Sequence, residues 1–343
     1  MSVQPPRGAV LRPSSVAELL EPRAVAVEQL LTPSNERANL VGVGVGVKWT
    51  GGEPTGRPAV LALVTQKLPS AALLPRDRVP PRVEDVPTDV IAVGQPFAGA
   101  EGVLVDRRRP VPGGYSVGHR AITAGTITTA AYDLLPGGKV SPPVAGIGVP
   151  QRVYILGNNH VLANGNDAGI GDPILQPGPY DGGKDPDDQI AELTRFIPIK
   201  FYPEIPKESH DNTVDAAVAL TQEAAVDRML YWIGRVQGWR RRNDVTVGTM
   251  VQKVGRSTGY TLGRITAVAV TIDIGYGGGR SARFHDQILT TAMSLPGDSG
   301  SLLTNLNGAA VGMLSAGSPV ATIYNQIENV RSLLMVEVAE AIV

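Results

Sequence analysis

From Tyr115 onward the sequence is a succession of short β-leaning segments separated by turn residues, and this spacing limits the fold more than any other feature. The segments "YSVGHRAITAGTITTAAYD", "QRVYILGNNHVLA", "DPILQ", "DAAVALT", "TVGTMVQKVG", "GRITAVAVTIDI", "DQILTTAMS" and "AAVGMLSAG" follow one another in order. A doubly wound sheet would need helical stretches alternating with the strands, so this pattern predicts an all-β sandwich or a pair of barrels. The 40 Gly and 28 Pro, set against only 5% aromatic residues, supply the turns that many short strands require. In the tail "IENVRSLLMVEVAEAI", Ile327, Val330 and Leu334 stand at i, i+3 and i+7, which predicts a closing helix.

The chain before that array has a different texture. Residues 1–39 carry a helical segment, in which Ser15-x-x-Glu18 reads as a capping box and Pro22 as a break that restarts the helix. The strands "LVGVGVGVKW" and "PAVLALVTQKL", the turn-rich "TGGEPTGR" and the later "TDVIAVG" predict a small α+β domain over residues 40–104. Its Val-Gly alternation lacks both the G-x-G-x-x-G and the Lys-Ser/Thr ending of phosphate loops, and reads as a glycine-faced strand packed closely by a neighbour. The Pro, Gly and Arg content of "VDRRRPVPGG", residues 105–114, reads as a linker, leaving residues 115–343 as the main domain with its C-terminal helix.

Composition narrows the functions. A formal charge of −1, from 31 Lys+Arg and 32 Asp+Glu, provides no whole-chain field for nucleic acid or an anionic membrane, and neither is expected as a partner. The absence of cysteine excludes thiolate nucleophiles, disulfides and Cys-based zinc sites. The start "MSVQPPRGAVLRPSSV" has no apolar signal region, and no apolar run reaches membrane-span length, so a cytoplasmic location is expected. The histidines show no metal-ligand spacing, and no metal or other cofactor is expected. Assembly into a homo-oligomer is left open.

Chemistry concentrates at "LPGDSGSLL", residues 295–303. A serine hydroxyl needs a base to become nucleophilic, and a developing oxyanion needs convergent N–H donors. Glycines on either side of Asp298-Ser299 let the backbone turn tightly enough to aim the N–H groups of Gly297 and Ser299 at one point. The base must be one of four histidines, His119, His160, His210 or His285. None follows Ser299, which disfavours the Ser, acid, His order of α/β-hydrolases. His160 ends the apolar "RVYIL" strand at a loop, whereas His119 and His285 lie in strand-like segments and His210 in the charged "KESHDN". The orienting carboxylate is expected at Asp215, placed among apolar residues where an unpaired charge is costly, with Asp211 as the fallback.

The order His160, Asp215, Ser299, together with "GDSGS", "VDAAVAL" and "KVGRSTGYTLGRITAV", resembles the chymotrypsin-like (trypsin-like) serine proteases, and bacterial members of the streptogrisin and α-lytic type in particular. The preceding α+β domain and "NNHVLAN" are more similar to an intracellular bacterial branch related to the plant narrow-leaf trypsin-like proteins. The resemblance implies a mainly β double barrel and an endopeptidase acting on protein or peptide substrates through an acyl-enzyme. It implies that Met293 floors the specificity pocket, with Ser294 beside it, favouring an apolar P1 residue. It also implies that Ser315, Ala316 and Gly317 run along the peptide groove, and that Asp298 needs a cation, for which several arginines are available. "GNNHVLAN" departs from the family in placing asparagines beside the base. A catalytically quiet binding module on the same fold and an esterase using the same triad are the rival functions.

Overall fold

The computed structural model describes residues 13–31, 39–50, 53–64, 67–92, 103–122, 124–134 and 152–338. The chain divides into two compact units, residues 1–98 and 99–343. In the first, helices α1 (Pro13–Glu18) and α2 (Leu20–Leu30) precede strands β1 (Leu40–Thr50), β2 (Glu53–Val64), β3 (Arg82–Val83) and β4 (Val86–Ala92). The sheet order is β1-β2-β4-β3, with β2 and β4 parallel. Ala26 and Leu30 of α2 bury against Val60 and Val83, which seats the helix on the sheet. Ser15 lies inside α1 and not before it, so the expected capping box does not form; Pro22 falls in the first turn of α2, where its missing N–H costs nothing. In β1 a Cβ on Gly46 would stand 2.5 Å from Leu61 Cδ1 on the paired strand, the close approach expected of a glycine-faced strand, whereas Gly44 faces open space.

The second unit is mainly β. Its first lobe contains β5 (Val111–Gly113), β6 (Ser116–His119), β7 (Gly125–Thr126), β8 (Thr129–Asp133), β9 (Val153–Gly157), the short helix α3 (Asn159–Leu162), β10 (Pro173–Leu175), β11 (Gln189–Phe196), β12 (Ala217–Thr221), β13 (Val226–Leu230) and β14 (Gly234–Arg235). The second contains β15 (Met250–Gly255), β16 (Gly259–Gly277), β17 (Arg280–Thr291), β18 (Leu302–Asn305), β19 (Ala310–Gly317) and β20 (Ala321–Gln326), after which α4 (Ile327–Leu334) leads the chain back to the first lobe as β21 (Val336–Glu337). An eight-stranded sheet in the order β21-β8-β9-β12-β11-β10-β6-β7 and a three-stranded sheet β14-β13-β5 form the first lobe, and β15-β16-β17-β20-β19-β18 close into a barrel in the second. Val251, Ile265, Ile288, Leu303, Leu314 and Tyr324 fill that barrel. The helix predicted at the C-terminal end is α4; its Ile327, Val330 and Leu334 are all buried, joining Tyr154 and Leu156 of β9 in one cluster.

The segment expected to be a linker is part of this second unit. Leu104 and Val111 are buried, and Val111–Gly113 forms β5, parallel to β13. The charges that suggested a solvated segment are anchored: Arg107 Nε lies 2.8 Å from Asp188 Oδ1, and Arg109 Nη2 donates to the Gln176 carbonyl at 3.1 Å.

Candidate active site

The turn carrying Ser299 is built by its glycines and by the strand below it. Gly297 and Gly300 have φ of +97° and +101°, a region in which a side chain is strained. A Cβ on Gly300 would fall 2.1 Å from the Thr126 carbonyl oxygen. Strand β7 and Thr128 just beyond it clamp the turn: Thr126 N–H donates to the Ser299 carbonyl at 2.7 Å, Thr126 Oγ1 to that of Gly297 at 2.8 Å, and Thr128 Oγ1 to that of Gly300 at 2.6 Å. Among the described residues the N–H groups of Gly297 and Ser299 have no hydrogen-bond partner, so both remain available as donors.

Strands β9 and β12 are antiparallel neighbours with Gly157 opposite Ala217, so the residues just beyond those strand ends meet. His160, on α3, and Asp215, just before β12, come together there. His160 Nδ1 is 2.5 Å from Asp215 Oδ2, and the His160 backbone N–H donates to Asp215 Oδ1 at 3.1 Å. Asp215 is fully buried, while a quarter of the His160 side chain (25%) is exposed. A third donor arrives from the second lobe: the Tyr276 hydroxyl donates to Asp215 Oδ2 at 2.9 Å. Burial first, and then the Asp215 charge, push the Tyr276 phenol well above its ordinary pKa, so it remains a donor. The asparagines beside His160 brace the same corner. Asn158 Nδ2 donates to the Asp215 carbonyl at 2.8 Å, and Asn159 Nδ2 ties the helix to the Ile197 carbonyl at 2.8 Å.

The other candidates do not converge on this point. Asp211 is mostly exposed (77%) and pairs with Lys200 at 2.9 Å. His119 is buried against Asp172, and His210 and His285 bond the carbonyls of Ile205 and His210. Among the described residues no cluster of His, Asp or Glu is arranged to hold a metal ion.

His160 and Ser299 line one cleft of about 390 Å³ with Asn164, Tyr276, Arg280, Ser315 and Ala316. Within it, no hydrogen bond joins Ser299 Oγ to the imidazole among the described residues; such contacts commonly tighten only when substrate is bound. Met293, expected to floor a specificity pocket, is buried with Ile265, Ile288 and Leu314, its sulfur against Gly263, and is not among the residues that line this cleft. Ser294 Oγ lies 2.9 Å from Thr322 Oγ1 and adjoins Gly317, whose Cβ would sit 2.4 Å from it; neither lines the cleft.

The cation for Asp298 is a lysine, not one of the arginines the sequence suggested. Lys253 and Asp298 are both fully buried, with Nζ 3.0 Å from Oδ2. The carboxylate also accepts from Ser257 N–H, Thr258 N–H, Thr258 Oγ1 and Leu295 N–H. Burial alone would raise the Asp298 pKa, but the Lys253 charge and these donors outweigh it and hold it below its ordinary value. Burial lowers the Lys253 pKa, with Asp298 opposing. Arg256, three residues beyond Lys253, is taken by Asp181. Sequence reasoning missed Lys253, although a single charge inside the otherwise buried β15, "MVQKVG", was a signal for it. Tyr276 and Arg280 carried none, since they flank the glycines of a turn.

No family model and no curated protein sequence matches the chain. Among solved structures it is similar to the Nocardiopsis protease NAPase, at 18% identity and TM-score 0.44 over 66% of this chain and 97% of that one. It is also similar to Thermobifida fusca protease A, at 14% and 0.45 over 67% and 99%. A third is Cellulomonas bogoriensis chymotrypsin, at 17% and 0.44 over 67% and 99%.

Proposed function

We propose that this chain is a serine endopeptidase of the chymotrypsin-like kind, with Ser299 as nucleophile, His160 as general base and acid, and Asp215 as the orienting carboxylate. The observation that carries the reading is the buried Asp215, held 2.5 Å from His160 Nδ1 in the cleft that also contains Ser299. With Nδ1–H committed to Asp215, the other ring nitrogen is the one free to accept a proton. It takes the Ser299 proton as Oγ attacks the peptide carbonyl, and the N–H groups of Gly297 and Ser299 receive the negative oxygen. The imidazolium then protonates the departing amine, leaving an acyl-enzyme on Ser299. Water, deprotonated by the same nitrogen, releases the acid and restores the serine.

Residues Ser315 to Gly317 pair with β20 on one side only, because the β18 ladder ends at Met313. The free edge beside Ser299 suits an extended peptide added as a strand. The apolar P1 preference expected from Met293 belongs to this proposal: Met293 directly precedes Ser294, whose hydroxyl adjoins Gly317 at the end of that edge, and an uncharged P1 side chain suits these groups. Covalent labelling with a fluorophosphonate tests the assignment. The label is expected on Ser299, and Ser299→Ala and His160→Ala should each abolish it. Ser301→Ala should not, because Ser301 Oγ is buried on the Asp298 carbonyl at 2.7 Å. A label found on Ser301 would sink the reading.

A further inference from the structure

We propose that Arg280 forms a subsite for an acidic substrate side chain at P2, the residue preceding the one whose carbonyl is attacked; this rests on the peptidase reading and names a substrate class for it. Arg280 opens β17 directly after the Gly277-Gly278-Gly279 tip and lines the cleft that holds His160 and Ser299. Its guanidinium lies 4.7 Å over the ring of Phe201. Phe201 is buried, and its ring meets that of Tyr276 edge-on at 5.1 Å, so the cation stands on a fixed aromatic platform.

The donors of this cation are unspent. Among the described residues the Arg280 side chain makes no hydrogen bond; the nearest carboxylate, Asp167, is 3.7 Å away and largely exposed (62%), and such a pair is weak. Other partly or fully buried arginines are committed: Arg256 to Asp181, Arg331 to Glu337 and Arg283 to Asp273. Arg280 therefore keeps a planar fork of N–H donors, only a third exposed (34%), facing the cleft. No carboxylate lines that cleft, since Asp215 is buried behind His160 and Tyr276. A fork of this kind matches a carboxylate in two parallel hydrogen bonds and repels an ammonium.

Strand geometry selects the position. A peptide extended along Ser315 to Gly317 points alternate side chains to opposite sides. With P1 directed toward Ser294 and Gly317, P2 is directed toward His160 and the hairpin that carries Arg280.

The test uses peptides identical except for Glu, Gln or Lys at P2, with kcat/KM measured for the full-length wild type and for Arg280→Gln and Arg280→Glu. The wild type should favour Glu over Gln by about tenfold at low ionic strength, an advantage that shrinks with added salt. Arg280→Gln should remove the preference, and Arg280→Glu should turn it toward Lys. Affinity of the same peptides for full-length Ser299→Ala, read by fluorescence anisotropy, reports the subsite without turnover. Equal affinity and equal kcat/KM for Glu and Gln, or an acidic preference that survives in Arg280→Glu, would overturn the subsite. Acid-selective binding with no cleavage by the wild type would overturn the peptidase reading and leave the subsite standing.

Discussion

Asp215 and Asp298 are both fully buried, and each is satisfied by a different set of partners. Asp298 relies on a full counter-charge, so Lys253→Met should be severe, costing about 3–5 kcal/mol in urea denaturation, because it strands a buried carboxylate. The double variant Lys253→Met, Asp298→Asn should recover part of that loss. The same pair sets an acid limit. Because the folded Asp298 pKa lies below its unfolded value, its contribution is complete above the ordinary carboxylate range and is lost as pH falls through the folded value. The melting temperature should be flat from pH 7 to 5 and drop below about pH 4, and the drop should be shallower in the double variant. Asp215 relies instead on neutral or proton-sharing donors, of which the Tyr276 hydroxyl is one. Tyr276→Phe should lower kcat by about ten- to hundredfold with little change in KM, the effect of losing one hydrogen bond to a charged group. An unchanged kcat with altered melting would reduce Tyr276 to a packing role.

At the scale of elements, the sequence was most legible where burial is continuous or strictly patterned. Strand β9, "VYILG", is buried at every residue, and the positions beyond it and β12 could be recognised as the meeting place of base and carboxylate. Strand β11, "QIAELTRF", was not predicted, because its exposed Gln189 and Glu192 break the apolar run. The β16–β17 hairpin reads as strand at both ends, but its tip reads only as glycine-rich turn; its delivery of Tyr276 to Asp215 depends on a contact 61 residues away in the chain. Glycines divide in the same way. Gly300→Ala should cost about 2–4 kcal/mol and most of the activity, since the new methyl would meet the Thr126 carbonyl at a positive φ. Gly44→Ala, with open space around it, should change stability by less than about 0.5 kcal/mol in the same denaturation assay.

At the scale of the whole molecule, the division into residues 1–98 and 99–343 gives the second unit its own core and every residue of the proposed site. The sequence-based boundary fell at the arginine-rich segment because exposed charge and charge bound by Asp188 and Gln176 look alike in one dimension. With Lys253 already paired to Asp298, an amino group freed by cleavage at Arg107 to Arg109 has no unpaired carboxylate to meet there, so such cleavage should not raise activity. Residues 99–343 expressed alone should melt cooperatively and be labelled at Ser299; a sharp gain in activity over the full chain would instead make residues 1–98 an inhibitory segment. The proposed function requires the full-length chain to cleave peptides through Ser299. Steady-state cleavage of an uncharged-P1 peptide library should give turnover that falls by about 10⁴ in Asp215→Asn and to background in Ser299→Ala, whereas turnover that persists in Ser299→Ala, or its absence from the wild type, would contradict it.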